Sequence, residues 1–145
     1  MNLERASLGA TAVLVGAIAT LLARHALFAT GAVPIAVQVL AGLLMLWARL
    51  TLGGRSFHAA ANPTAGGVVT NGPYHLIRHP IYAAILYFVW AGTISHAAVL
   101  NAALAVLATA MVAVRIAAEE RLLVKRYPDY ATYAARTKRV VPFLL

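Results

Sequence analysis

Hydrophobic positions in this chain fall in long blocks instead of alternating with polar ones. Four blocks are apparent, over about residues 7–28, 33–50, 81–95 and 97–118. The first, second and fourth approach the roughly 20 apolar residues that a helix needs to cross a bilayer, and each is read as a spanning α-helix. The third is short, and is expected to begin inside the preceding loop or to tilt less than the others. Small residues recur within the blocks, among them Gly9, Gly16, Ala102, Ala103, Ala110, Ala113 and Ala117, and small residues let spanning helices approach closely. The predicted class is an all-α integral membrane protein with about four transmembrane helices and a C-terminal helical cap, in one domain.

The connections between blocks are unequal. Tight turns are expected at Thr30-Gly31-Ala32 and near Ser95-His96. The segment 51–80 is long and rich in Gly, Pro, Asn and His, and a loop of that length in a compact chain is commonly functional or disordered. Beyond residue 118 the chain turns polar and basic, yet Leu123, Tyr127, Tyr130 and Ala134 keep the spacing of one helical face. Pro128 is expected to start a new short helix with Asp129 in its first turn.

Composition sharpens this picture. The chain has 145 residues, 62% hydrophobic and 11% charged, against about 25% charged in ordinary globular domains. Its net charge of +8 would suit a nucleic-acid binder, but the apolar blocks make membrane topology the better explanation. Four spans put both termini and the long loop on one side. Arg5, Arg49, Arg55, Arg78, Arg115, Arg121, Lys125, Arg126, Arg136, Lys138 and Arg139 fall on that side or at the adjoining helix ends, and only Arg24 lies towards the other. The positive-inside rule makes the shared side, with both termini, cytoplasmic. The first block is too long for the core of a typical cleaved signal peptide and no clear small-residue cleavage site follows it.

Several chemistries are excluded or unsupported. There is no cysteine, so disulfides, thiolate catalysis and cysteine metal sites are out. His25, His58, His75 and His96 are scattered without metal-ligand spacing. Asp129 is the one aspartate and has no nucleophile motif beside it. Neither a P-loop nor a dinucleotide-binding glycine fingerprint is present.

Three clusters remain. The first is Gly66-Gly67-Val68-Val69-Thr70-Asn71-Gly72-Pro73-Tyr74 followed by Arg78-His79-Pro80-Ile81-Tyr82. Glycines there permit close backbone approach to a ligand, and Pro80 suits the first turn of the third span. The second is Arg115, Glu119 and Glu120, with Arg115 and Glu119 on one helix face. Charges at such depth commonly face the bundle interior, although an interfacial ion pair explains them too. The third is Tyr127-Pro128-Asp129-Tyr130, Tyr133 and Arg136-Thr137-Lys138-Arg139, a composition that suits the headgroup region.

In their order and content these clusters resemble the isoprenylcysteine carboxyl methyltransferase family and its relatives among the phospholipid N-methyltransferases. The resemblance rests on Val68 to Tyr74, on Arg78-His79-Pro80-Ile81-Tyr82, on Glu119-Glu120-Arg121-Leu122-Leu123 one hairpin later, and on Tyr127-Pro128-Asp129-Tyr130, Tyr133 and Lys138-Arg139-Val140. It covers the C-terminal half; the first two spans carry no recognisable motif. It implies S-adenosylmethionine bound at the cytosolic face without a Rossmann fold, with residues 51–80 as the cofactor loop, 81–118 as a helical hairpin and 119–145 as cytosolic helices. Gly66, Gly67, Val68, Val69 and Tyr74 would line the cofactor pocket, and His79, Pro80, Ile81 and Tyr82 would form its floor. Glu119, with Glu120, would bind a polar part of the cofactor. Arg115 would face the methyl acceptor, with Arg78 also at the reacting centre, and no metal is implied. One departure from the family is Ala84, where a glycine is frequent.

The implied reaction is in-line displacement on a sulfonium methyl by a lipophilic acceptor. A carboxylate acceptor is ionised at neutral pH and needs no general base, which matches a chain with little acid–base machinery. An amine acceptor, as in phospholipid N-methylation, would need a base such as His79 or Glu120. A sterol-reductase-like enzyme shares an Arg-His-Pro-like end region but belongs to much longer chains. A non-enzymatic helical membrane module is the reading from a different class.

Overall fold

The computed structural model describes residues 3–53 and 67–142. Five α-helices are present among them: α1 (Leu3–Ala23), α2 (Ala32–Leu52), α3 (Pro80–Ser95), α4 (Val99–Arg126) and α5 (Tyr130–Arg136). A short 3-10 helix, Gly72–His75, precedes α3. No strand occurs among the described residues; an isolated bridge joins Ile77 and Lys138. By length and composition α1, α2 and α4 can each cross a membrane, whereas α3 is a shorter apolar helix of 16 residues. At 1.5 Å per residue α3 is only about 24 Å long, less than the roughly 30 Å hydrocarbon core.

The helix ends follow local chemistry. The first block is expected to stay helical to Phe28, but α1 stops at Ala23. His25 adopts φ 54 and the Ala26 and His25 amides return to the Leu21 and Leu22 carbonyls. That is a Schellman-type ending with histidine in the usual glycine position. Pro80 occupies the first turn of α3, as its sequence position predicts. The polar stretch after residue 118 is no separate helix at first: α4 runs on to Arg126. Pro128 ends it, because the residue before a proline avoids helical geometry, and Tyr127 is extended with φ -123 and ψ 111. Pro128 therefore lies in the break, and Asp129 sits at the N-cap position of α5, not in its first turn.

Two antiparallel pairs make the bundle. α1 lies along α4 and α2 along α3, with contacts between α3 and α4 joining the pairs. The shared core contains Leu14, Ala17, Leu21, Val89, Ala105, Ala108 and Val112. Fully buried alanines on α4 let α1 close on it, as small residues do in packed spanning helices. Outward faces are apolar, with Val33, Leu40, Leu43 and Leu50 of α2 all exposed.

The end of the bundle farther from the motifs is tied by polar groups. Gln38, buried on α2, donates to the carbonyls of Leu27 (2.8 Å) and Phe88 (2.9 Å) and accepts from the Ala29 amide (2.9 Å). One side chain thus satisfies three backbone groups from the α1–α2 turn and α3. Arg24 donates to Asn101 (2.9 Å), which donates to the His96 carbonyl (2.7 Å). α3 crosses the same turn so closely that a Cβ on Gly92 would lie 2.1 Å from the Leu27 carbonyl oxygen.

Gly92→Ala is therefore expected to destabilise the bundle by about 1–3 kcal/mol, the usual range for overpacking. Gly16→Ala, at a helical position with nothing within 4 Å, should be neutral or slightly stabilising. Thermal unfolding of both variants in one detergent checks this; equal midpoints would contradict it.

Candidate functional site

The motif-bearing end is assembled by backbone pairing before any side chain acts. The Arg78 amide donates to the Lys138 carbonyl (2.8 Å) and the His79 amide to that of Arg139 (3.0 Å). Tyr87 of α3 donates to the Val140 carbonyl (2.7 Å). The C-terminal strap thus runs beside the segment that enters α3. On the other flank, the 3-10 helix packs on the end of α2. Gly72, with φ +56, leaves no room for a Cβ, which would meet Thr51 Oγ1 at 2.6 Å.

Glu120 gathers this end together. Its carboxylate accepts from Arg78 (2.7 Å) and Arg139 (3.0 Å), and His79 Nε2 lies 3.3 Å away. The Arg78 guanidinium also donates to the carbonyls of Ala134 (3.1 Å) and Thr137, at the C-terminal end of α5. A cation there meets the negative end of the helix dipole. Arg78 and Glu120 are only 11% and 15% exposed, so their charges are satisfied by each other and by backbone.

Beside this clamp lies a cleft of about 370 Å³, within the range of about 300–1,000 Å³ common for small-molecule sites. One end is polar. Gly67, Val68, Val69 and Tyr74 reach it from the loop, His79, Pro80, Ile81 and Tyr82 from the start of α3, and Arg115 and Glu119 from α4. Leu14, Val15 and Ile18 of α1 and Ile85 of α3 add an apolar part to the lining.

Individual groups at the polar end have distinct partners. Arg115 is 6% exposed; its Nε donates to the Tyr82 hydroxyl (2.9 Å) and an Nη lies 3.4 Å from the Ser7 carbonyl. Glu119 Oε2 is buried without a hydrogen-bond partner, 3.8 Å from His79 Nδ1. The Tyr130 hydroxyl is likewise buried without a partner, and Tyr130 also lines the cleft. Buried polar atoms are ordinarily satisfied, so the two orphans mark where a ligand's hydroxyl or amino groups would fit. Burial raises the phenols of Tyr74 and Tyr130, aided by the nearby charges of Glu119 and Glu120 respectively. Burial also pushes Tyr133 up to about 12, against a Thr137 hydrogen bond and the Arg78 charge. Tyr133 thus stays a donor to the Tyr74 carbonyl (2.6 Å). With its pKa raised from 10.0, that donor's contribution is intact below pH 10 and is lost as pH rises towards 12.

The structure brings most of the sequence-predicted residues to one place. Gly67, Val68, Val69, Tyr74, Arg78, His79, Pro80, Ile81, Tyr82, Arg115 and Glu119 all line the cleft. Gly66 lies outside the described residues. Glu120 is absent from the lining: a neighbour in sequence on a helix points about 100° away, and its carboxylate is held by Arg78, Arg139 and His79. Arg78, expected at the reacting centre, is engaged by that same carboxylate and by the end of α5. Sequence reasoning missed Thr11, Arg49, Tyr130 and Tyr133 as cleft residues. The helical-face spacing of Leu123, Tyr127 and Tyr130 was the available signal, since all three line the cleft. Among the described residues no group of three His, Asp or Glu could hold a metal ion.

Known proteins share parts of this chain. A family model described as phospholipid methyltransferase matches residues 27–130. The chain is 35% identical over 100 residues to the cobalt-zinc-cadmium resistance protein CzcN of Cupriavidus metallidurans, a match covering 68% of this chain and 43% of that one. It is 32% identical over 100 residues to the nickel-cobalt-cadmium resistance protein NccN of Alcaligenes xylosoxydans xylosoxydans, with the same coverage of 68% and 43%. The match thus spans less than half the length of these curated relatives. No solved structure matches the chain.

If Glu120 holds the strap, Glu120→Gln should weaken it by about 1.5–3 kcal/mol, the worth of hydrogen bonds to a charged group. Tryptic cleavage at Arg136, Lys138 or Arg139 should then accelerate at least about tenfold, with helical circular dichroism unchanged. Cleavage at the wild-type rate would remove Glu120 from that role.

Proposed function

The chain belongs to the phospholipid methyltransferase family, and on that premise we propose that it transfers a methyl group from S-adenosylmethionine to a lipophilic carboxylate at the cytoplasmic face of a membrane. In this reading α1 to α4 are four spans, the short α3 is shielded by its neighbours, and both termini and the α2–α3 loop are cytoplasmic. The placement of basic residues at the motif-bearing end supports that orientation.

One observation carries the proposal. A single cleft is lined both by polar groups, among them Arg115 and a Glu119 whose Oε2 is buried without a hydrogen-bond partner, and by apolar side chains of α1 and α3. Bound S-adenosylmethionine would supply an electrophilic sulfonium methyl. Glu119 Oε2 and the Tyr130 hydroxyl are suited to its hydroxyl and amino groups, and the backbone of Gly67, Val68 and Val69 can approach it closely.

Arg115 is placed to receive an anionic head group whose hydrocarbon tail lies along Leu14, Ile18 and Ile85. A guanidinium orients one carboxylate oxygen and leaves the other available. The acceptor is already ionised, so catalysis reduces to alignment and exclusion of water, a contribution of up to about 7–11 kcal/mol in favourable intramolecular cases. His79 is held between Glu119 and Glu120, which fixes its ring as part of the floor.

A second reading, an amine acceptor, draws support from the description of the matching family. It requires a base beside the methyl group, and His79 is the nearest group of that kind. The names of the relatives tie those proteins to metal resistance; for this chain, methylation of a membrane lipid is the contribution we would attach to such a setting.

S-adenosylhomocysteine at a hundredfold excess over its Kd should stabilise the purified protein by about 2.7 kcal/mol, and NADPH should not. With labelled S-adenosylmethionine and membrane lipid extract, the product should release methanol in base, as esters do and N-methyl amines do not. Arg115→Ala should cut methyl transfer at least about a hundredfold, whereas Glu119→Ala should chiefly weaken S-adenosylhomocysteine binding. No stabilisation by S-adenosylhomocysteine would end the methyltransferase reading; a base-stable product would favour the amine acceptor.

A further inference from the structure

We propose that Arg49, from the last turn of α2, recognises the carboxylate at the amino-acid end of the cofactor. The inference rests on the methyltransferase reading and extends it by a residue from a helix that carries none of the sequence motifs.

Arg49 sits in the last turn of α2. The inward side of this helix is set by Gln38, Ala41 and Ala48, all buried, and Ala48 completely so. Arg49 follows Ala48, about 100° further round the helix, and Leu52 comes three residues later on the same side as Arg49. Both line the cleft. The helix ends directly beyond them, where the Gly53 amide returns to the Arg49 carbonyl. The loop is seated at this same end: Gly72 packs against Thr51 and Trp47, and Gly67, Val68 and Val69 shortly before it line the cleft. α2 thus delivers a cation to the cleft at the end where the cofactor loop is seated.

The charges of the cleft and of its two ligands match when each is given one partner. Among the described residues of the lining are three arginines, Arg49, Arg78 and Arg115, and one carboxylate, Glu119. Arg78 is held by Glu120 and by the carbonyls at the end of α5. Two guanidiniums then answer to two ligand carboxylates, that of the acceptor and that of the cofactor, and Glu119 answers to the cofactor's amine. Arg115 is buried and bonded to Tyr82, which suits the lipophilic acceptor. Arg49 is only partly buried, which suits the most hydrophilic end of the cofactor. A guanidinium can bind a carboxylate through two parallel hydrogen bonds, so Arg49 would fix direction as well as charge. The negative end of the α2 dipole favours a cation at this position before any ligand arrives.

The test uses the full chain in nanodiscs with two probes: S-adenosylhomocysteine, and its analogue that lacks the carboxyl group but keeps the amine. Titration calorimetry reads the ratio of the two affinities. Wild-type protein should prefer S-adenosylhomocysteine by about tenfold or more, the effect of a hydrogen bond to a charged group. In Arg49→Gln the ratio should fall to about one, through weaker binding of S-adenosylhomocysteine with binding of the analogue unchanged. Arg49→Lys keeps the charge without the fork and should fall between the two; it serves if Arg49→Gln does not fold. A purely structural role would weaken both probes alike and leave the ratio intact, which overturns the assignment. A wild-type ratio near one overturns it too. Absence of S-adenosylhomocysteine binding to wild-type protein instead sinks the methyltransferase reading.

Discussion

A single partly buried carboxylate, Glu120, organises the motif-bearing end of this protein. Three cationic or protonatable groups from separate stretches converge on it: Arg78 and His79 from the segment entering α3, and Arg139 from the C-terminal strap. Charged groups removed from water are tolerable only when paired and hydrogen-bonded. Remove the acceptor and two arginines and a histidine would face one another at the mouth of the cleft. The clamp therefore does more than join elements. It offsets part of the positive charge gathered at this end of the chain, beside the cleft that opens against the start of α3. Arg78 extends the same logic by closing the carbonyl end of α5.

Two of the arginines that line the cleft show how partners decide roles. Arg78 is spread over a carboxylate and two backbone carbonyls, a set that matches the fork of a guanidinium and holds it still. Arg115 is buried, bonded to the Tyr82 hydroxyl and close to the Ser7 carbonyl of α1, and it lines the cleft. Identical side chains thus become a fastener in one place and a candidate head-group receptor in the other. The adjacent glutamates divide in the same manner. One turns to the strap; the other, about 100° round the helix, turns to the cleft.

Much of this can be read in the sequence. Block hydrophobicity locates the helices, Pro80 marks the start of α3, and the pairing of Arg-His-Pro with Glu-Glu anticipates that the loop and the end of α4 meet. The division of labour between Glu119 and Glu120 is not legible there, because it depends on helix phase relative to a strap whose path no local pattern specifies. Nor is the part played by α1. Leu14, Val15 and Ile18 are ordinary membrane residues, and only the packing of α1 into the bundle makes them part of the cleft's lining. Gln38 escapes sequence reading for a related reason. A lone polar residue in a span signals a partner, but its three backbone partners come from a turn and a different helix. Pro128 stands out in the sequence as a helix starter, yet its strongest local effect acts backwards, on Tyr127, and ends α4.

The economy of the fold follows from the chemistry proposed for it. Displacement at a sulfonium methyl by an ionised acceptor asks for no proton transfer, so the site needs a few fixed polar groups and a dry enclosure in place of an acid–base pair. A helical bundle in lipid supplies the dry wall without added structure. On that proposal the remaining requirement would be to keep the cofactor in register with a lipophilic acceptor, although the cleft's lining comes from different helices. α4 contributes Arg115 and Glu119 one turn apart, and α3 sets Tyr82 against Arg115. A substitution that spares every lining side chain but shifts α3 along α4 would leave the lining residues intact and still misalign the two ligands. On that proposal, the small residues that set the seat of α3, above all Gly92 against the α1–α2 turn, would bear on methyl transfer although none of them touches the cleft.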